Sequence, residues 1–541
     1  MIAADLVLRG GDIMTFDDRR SRTRALAIGA GRILALGEEA EALVGRGTEV
    51  LELGGRTVIP GLFDSHIHTV MGGQNELAVS LEGARSIADV QTAFAARARG
   101  TPKGAWIKGG SGWHESQLAE GRLPTRFELD QVTPDNPVIL RRGGHVVVAN
   151  SAALAIAGIT KATPDPGHGV IVRDPATGEP TGVLVERDAF SLVLKHVPPP
   201  TRAEHIDGLK LFTQKLNSRG VTSTLEPGLT LDEIAAYMEL WRQKAMTTRV
   251  RVLQRVHCVD DVTALSSVLA PDFGDDHLRI GGFKFSADGG IEAAFMREPY
   301  RIVEGEQTDP AFVGKLILPP GGIDELREMF MIAAARGWQF QIHMVGDAAV
   351  DAMVGLVEEV AQKYPLGTLR WTMVHVFLPH ERALATIKRL GLRITVQDQP
   401  VKLGHNMLRY WGEPRAARSI PTRSFVAAGI PTGAGTDAPV VDWNPFESIW
   451  WMVTRQVYMQ NGTRVLGAEE AIDPAVALAL YTRGSAETCF MEDKVGTLEP
   501  GKLADLAVLT DDPLTAAPDR LKDIRSALTL VGGRIVHRDG L

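Results

Sequence analysis

The stretch TVIPGLFDSHIH, Thr57 to His68, decides how the rest of this chain is read. An apolar run of strand length ends in an aspartate and two histidines two positions apart. In an extended strand, residues i and i+2 face the same side, so His66 and His68 can aim both imidazoles at one point. Taken alone, such a pair is also what two incidental polar residues at a strand end look like. A metal site would need its other ligands from elsewhere in the chain.

Seven further apolar runs of strand length follow: GVTSTLEPG, TRVRVLQRV, GGFKFSADGG, WQFQIHMVGD, LRWTMVHVFL, LRITVQDQP and IPTGAGTDAPV. Helical patterns such as IDELREMFMIAAARG and ERALATIKRLG lie between several of them. This alternation predicts an α/β fold, a (β/α)8 TIM barrel over 57–74 plus 205–489, with its active site at the carboxyl ends of the strands. The stretch 75–204 breaks the rhythm with its own β-rich pieces (AWIKGG, NPVILRRGGHVVVAN, TGVLVE) and the Pro-rich HVPPPT. It is expected as an insertion after barrel strand one. The two chain ends, 1–56 and 490–541, both read as short alternating runs broken by Gly, Pro and Asp. Together they predict one flanking β-sandwich.

With 541 residues, 44% hydrophobic and 23% charged, the chain has an ordinary globular composition and is long enough for more than one domain. A net charge of -8, without any Lys/Arg-rich block interleaved with aromatics, argues against nucleic acid as a partner. No apolar run approaches membrane-spanning length, and the start lacks a charged segment before an apolar core, so a cytoplasmic protein with no membrane partner is expected. Cys258 and Cys489 stand far apart in sequence, which suggests neither a disulfide framework nor a thiolate metal site. Any metal must be held by His, carboxylate or something less usual.

Such residues recur at the later strand ends. His343 ends WQFQIH, His375 ends LRWTMVH and Asp437 ends IPTGAGTD. Each alone fits a hydrogen-bonded His or a turn-initiating Asp, but five of these residues at matching strand ends point to a metal centre. Lys284, in GGFKFSADGG, is the sixth candidate. An ammonium has no lone pair and repels a cation, whereas a neutral amine can add carbon dioxide to give a carbamate able to bridge two metals. That would require a lowered pKa. An ordinary buried or paired lysine fits the spacing equally well.

VIPGLFDSHIH, KFSADGG, QIHMVGDAAV, TMVHVF, GTDAPV and GTLEPGKLADLAVL together resemble the amidohydrolase superfamily, in its YtcJ-like or amidohydrolase 3 branch, which includes N-substituted formamide deformylase. The resemblance spans nearly the whole chain and implies a barrel with a flanking sandwich, a one- or two-metal centre, and hydrolysis at C–N bonds. It implies His66 and His68 as the strand-one ligands, Lys284 as the bridging, carboxylated lysine, His343 and His375 as the ligands of strands five and six, and Asp437 as the strand-eight ligand. Zn suits this set best among common metals. Val374 and Ala438 depart from the pattern, standing where many relatives have a glutamate and an aromatic residue.

The expected reaction is hydrolysis of an amide, formamide or carbamate of a small apolar or aromatic substrate by a metal-activated water, with Asp437 as general base and acid. GGHVVVANSAAL resembles a segment that borders the active site, making His145 an expected substrate contact. Trp443, in the aromatic stretch after Asp437, and Trp113, in GSGWHES of the insertion, are expected to wall the pocket from opposite sides. An esterase or decarboxylase on the same site, and a non-catalytic regulatory protein, stay open as alternatives. So does a homo-oligomer.

Overall fold

In the computed structural model, which describes residues 4–81, 83–111, 113–167, 169–302, 311–459 and 461–541, the run from Thr57 is divided between two sheets. The remaining positions of the expected units, 1–3, 82, 112, 168, 303–310 and 460, lie outside the described residues. Thr57–Pro60 pairs antiparallel with Leu506–Leu509 in the flanking sheet, whereas Leu62–Asp64 is the first barrel strand. Gly61 is the handover. A Cβ there would lie 2.2 Å from the Thr222 hydroxyl oxygen, so glycine alone lets the chain pass this close to the second barrel strand. The expected boundary after residue 56 therefore moves to Gly61.

All eight expected barrel strands form. Leu62–Asp64, Val221–Leu229, Arg249–Arg255, Leu278–Ser286, Gln339–Met344, Thr372–His375, Arg393–Val396 and Thr432–Ala434 pair in that order, each parallel to the next. Strands eight and one meet through the Ser65 N–H, which donates to the Ala434 carbonyl at 3.0 Å, and the His68 N–H, which donates to the Ala438 carbonyl at 2.7 Å. These bonds close the ring.

Alternation sets the two faces of strands four and five. Phe283, Phe285, Phe340 and Ile342 point toward the helices, where Phe330, Trp338 and Trp371 pack on them; the Phe330 and Phe340 ring centroids are 4.8 Å apart. Burying each such side chain stabilises the fold by about 1.5–3 kcal/mol. Lys284, Gln341 and His343 then face the barrel axis, with Lys284 in register beside Gln341. A one-residue slip would reverse both faces.

Between barrel strands one and two, the insertion forms a five-stranded sheet from Ile107–Gly109, Val138–Arg142, Val146–Ala149, Val170–Arg173 and Pro180–Val185. Apolar cores lie on both of its faces. The two chain ends build one eight-stranded sheet. Its strand Leu6–Met14 has an irregularity between Arg9 and Ile13, pairing with Glu49–Glu52 before it and with Thr57–Val58 after it. Hydrogen bonding in the flanking unit is thus continuous through a single sheet, with apolar residues packed on each side. No described helix is long and apolar enough to cross a membrane.

One buried ion pair clamps the flanking sheet to the barrel. Arg249, on barrel strand three, donates to both Asp505 oxygens at 2.7 and 2.9 Å, with 3% and 1% of the two side chains exposed. Asp505→Ala should strand a buried guanidinium and lower stability by about 3–5 kcal/mol. A urea midpoint unchanged by the substitution would contradict the clamp.

Candidate functional site

The first barrel strand stops at Asp64, so His66 and His68 lie on the bend after it rather than on the strand. Asp64 shapes that bend. Its carboxylate accepts the His66 N–H at 3.1 Å and the Thr436 hydroxyl at 2.7 Å, joining the ends of strands one and eight. Both imidazoles then reach Asp437: Nε2 of His66 is 3.4 Å, and Nε2 of His68 3.2 Å, from Oδ1.

His375 arrives by a different route. Met373 packs in the outer layer, and simple alternation would send His375, two residues on, the same way. Left-handed backbone at His375 (φ 70°) and Val376 (φ 48°) breaks the alternation, and the ring lies 5.2 Å from that of His66 and 4.6 Å from that of His343, between centroids. Asp437 is left-handed too, with φ 58°, and its N–H donates to the His66 carbonyl at 2.8 Å. Such backbone costs about 1–3 kcal/mol per non-glycine residue and persists where the surroundings over-determine it.

One ligand atom each from His66, His375 and Asp437 lies within 4.8 Å of the other two, and all three residues are buried. His343 stands beside this trio, but its Nε2 is 3.2 Å from the Gly289 carbonyl and 3.6 Å from Asp288 Oδ1. Lys284 is buried as well, and its Nζ has no hydrogen-bond partner.

The electrostatics match this geometry. Burial, with Lys284 nearby, lowers the pKa of His66 and His343 to about 3, and burial together with His343 holds His375 well below the usual value, so all three rings are neutral and keep a lone pair. Burial alone would raise the Asp437 carboxyl, but the side-chain hydrogen bonds from His66 and His68 hold it well below the carboxylate range. Lys284 is pushed down to about 7 by burial, against the attraction of Asp437. Neutral imidazoles, an ionised carboxylate and an orphaned lysine nitrogen form a donor set that fits a divalent cation.

Further residues hold these groups in place. Gln399 Nε2 donates to Asp437 Oδ2 at 2.7 Å and lies 3.1 Å from His375 Nδ1, and Gln341 Oε1 is 3.3 Å from His66 Nδ1. Asp288 accepts the N–H groups of Phe295, Val345 and Gly346 at 2.8–3.0 Å, tying together the loops after strands four and five. Gln399 and Asp288 lie in the runs LRITVQDQP and GGFKFSADGG. Nothing in those runs distinguishes them from other polar residues at strand ends.

Above the centre lies a cavity of about 50 Å³, with His343, His375 and Asp437 on its floor and Trp113, Phe377 and Leu403 among its walls. Its volume is roughly that of a few water-sized spheres. The insertion supplies one side. Arg142 bridges Glu115 at 3.1 Å and Glu292 at 2.7 Å, and Trp113 Nε1 donates to the Arg141 carbonyl at 2.8 Å. His145 also lines the cavity, with Nδ1 3.1 Å from Glu186 Oε2. Burial would lower its pKa, but the Glu186 carboxylate and neighbouring Glu292 raise it to about 9, which makes it a cation at neutral pH.

Trp443 is not a wall of this cavity, contrary to expectation. Asp442 accepts the Trp443 and Asn444 N–H groups and Asn444 caps the helix Pro445–Thr454, a turn that leaves the Trp443 ring packed against Lys215 and Arg219, 4.7 and 5.4 Å from the ring centroid. Trp450 and Trp451 on the same helix are buried in the barrel's apolar core. Trp443→Ala should therefore leave kcat/KM within about twofold, whereas Trp113→Ala should lower it roughly tenfold. Steady-state kinetics giving the reverse order would contradict this placement.

Residues 49–537 match the sequence profile of the amidohydrolase family. The Bacillus subtilis (strain 168) protein YtcJ is 28% identical, over 98% of this chain and 99% of its own length. N-substituted formamide deformylase of Arthrobacter pascens is 27% identical, over 98% of this chain and 97% of its own. Among solved structures, an uncharacterized metal-dependent hydrolase from Pyrococcus horikoshii OT3 superposes with a TM-score of 0.75 at 26% identity, covering 95% of this chain and 99% of that one.

Proposed function

The chain belongs to the amidohydrolase family, and from that premise we propose that it is a divalent-metal hydrolase of a C–N bond in a small, apolar N-formyl or N-acyl compound. The observation that carries the reading is the buried convergence of His66, His375 and Asp437 within 4.8 Å. The orphaned Nζ of Lys284 and the likeness to N-substituted formamide deformylase support it.

In this reading His66, His68, His343, His375 and Asp437 would hold one or two divalent ions, and Lys284, carboxylated on Nζ, would add a further oxygen donor. Its neutral amine adds to carbon dioxide, forming a new C–N bond and releasing one proton to solvent. Zn suits nitrogen and carboxylate donors of this kind. A divalent cation bound there supplies Lewis acidity that polarises a carbonyl and acidifies a water.

The chain's own residues do the rest. Asp437, ionised, takes a proton from the attacking water and returns it to the nitrogen as the C–N bond breaks, a step amides need because an amine leaves poorly. Gln399 fixes the plane of that carboxylate through its bond to Oδ2. His145, a cation facing the cavity, donates toward the carbonyl oxygen as it gains negative charge. Trp113 and Phe377 keep bulk water away from the reacting bond and favour an apolar nitrogen substituent.

The test is kcat/KM for N-benzylformamide, formamide and benzyl formate with the metal-loaded protein. N-Benzylformamide should exceed formamide by at least about tenfold. Hydrolysis of the ester with no turnover of either amide would replace this reading with an esterase, and equal rates for the two amides would remove the apolar preference.

A further inference from the structure

A second cavity, of about 500 Å³, lies between the helix Thr69–Leu77 and the edge of the insertion sheet. Strand alternation builds its charged wall. Ile107, Val138 and Leu140 point into one apolar core of the insertion, so Lys108, Ile139 and Arg141 share the opposite face, with Lys108 in register beside Ile139. There the Arg141 guanidinium has neither an ion pair nor a hydrogen bond among the described residues, and burial alone draws its pKa down.

Its neighbours do not neutralise it. Lys108 donates to the Pro198 carbonyl at 3.0 Å, and Arg97 donates to the carbonyls of Leu77 and Ala78 at 3.3 and 3.1 Å. The one acid lining the cavity among the described residues, Glu204, is engaged by the Thr201 N–H at 2.7 Å and the Thr201 hydroxyl at 2.9 Å. Trp106, Leu194 and the segment Val197–Pro200 supply an apolar wall beside these cations. Arg141 is half-buried, and an arginine partly withdrawn from water without a counter-charge is stabilised when an anion completes it. Its planar fork matches the two oxygens of a carboxylate.

We propose that this cavity binds an amphiphilic carboxylate, its head on Arg141 and Lys108 and its tail against Trp106, Ile139 and the proline segment. This cavity shares no lining residue with the one above the metal ligands, so its ligand neither needs that centre nor competes for it. A volume of this size is ordinary for a small-molecule site.

Calorimetric titration of the metal-loaded full-length protein with octanoate tests the proposal. Octanoate should bind saturably, with octanol and acetate weaker by about tenfold or more, because one lacks the charge and the other the tail. Arg141→Met and Lys108→Met should each weaken octanoate by a similar factor, and Lys108→Met should leave hydrolysis unchanged. His66→Ala should retain octanoate binding. Absence of saturable binding, equal affinity for octanol, or binding that survives both cavity substitutions but is lost in His66→Ala would overturn it. Should Arg141→Met fail to fold, Lys108→Met carries the same comparison.

Discussion

Asp437→Asn should lower kcat by about 10²–10⁴-fold while KM stays within a few-fold. The substitution preserves shape, and a carboxamide can still accept the bond from Gln399 that now reaches Oδ2 at 2.7 Å. What it removes is the negative charge that His66 and His68 approach at 3.4 and 3.2 Å, and with it the proton acceptor. Asn keeps the size of the side chain on the cavity floor, and the walls at Trp113 and Phe377 that hold the substrate are unchanged, so the loss belongs in turnover. Steady-state kinetics on a variant with unchanged circular dichroism is the check. Near-normal kcat would exclude Asp437 as the base.

Lys284→Ala should also reduce activity by about 10²-fold or more, beyond the 10–100-fold typical for loss of an outer partner of a metal ligand. Lys284 makes no hydrogen bond that its removal would break, so the direct cost to the fold is the space its side chain leaves. That space opens beside His66, His343 and Asp437, all of which feel the Lys284 charge. A small carboxylate such as propionate can place two oxygens where the carbamate would have been, and should restore part of the activity. Methylamine should not. Rescue by the amine and not by the acid would mean that Lys284 acts as a plain amine, and an unaffected variant would remove it from the mechanism.

The barrel was legible because its strands are apolar runs bounded by Gly, Pro and polar residues, and because Lys284 and His343 sit on the inward parity of their strands. Other features escaped for identifiable reasons. The run Thr57–Asp64 is buried throughout, so composition does not change at Gly61, where the chain leaves one sheet for another. His375 is visible in the sequence as a histidine at a strand end, while its inward orientation depends on left-handed backbone that alternation does not foresee. Trp443 lies away from the cavity because the local turn at Asp442 and Asn444, not aromatic character, sets where its ring packs. Gln341, Gln399 and Asp288 earn their roles through contacts with residues distant in sequence, which a single chain read linearly does not reveal.

The most direct test of the metal-hydrolase account is metal analysis coupled to turnover. The purified protein should carry one or two divalent equivalents, lose N-benzylformamide hydrolysis when a chelator removes them, and regain it on titration with Zn²⁺, whereas His66→Ala should lose both metal and activity. A protein that hydrolyses the formamide at full rate with no bound metal would contradict the account.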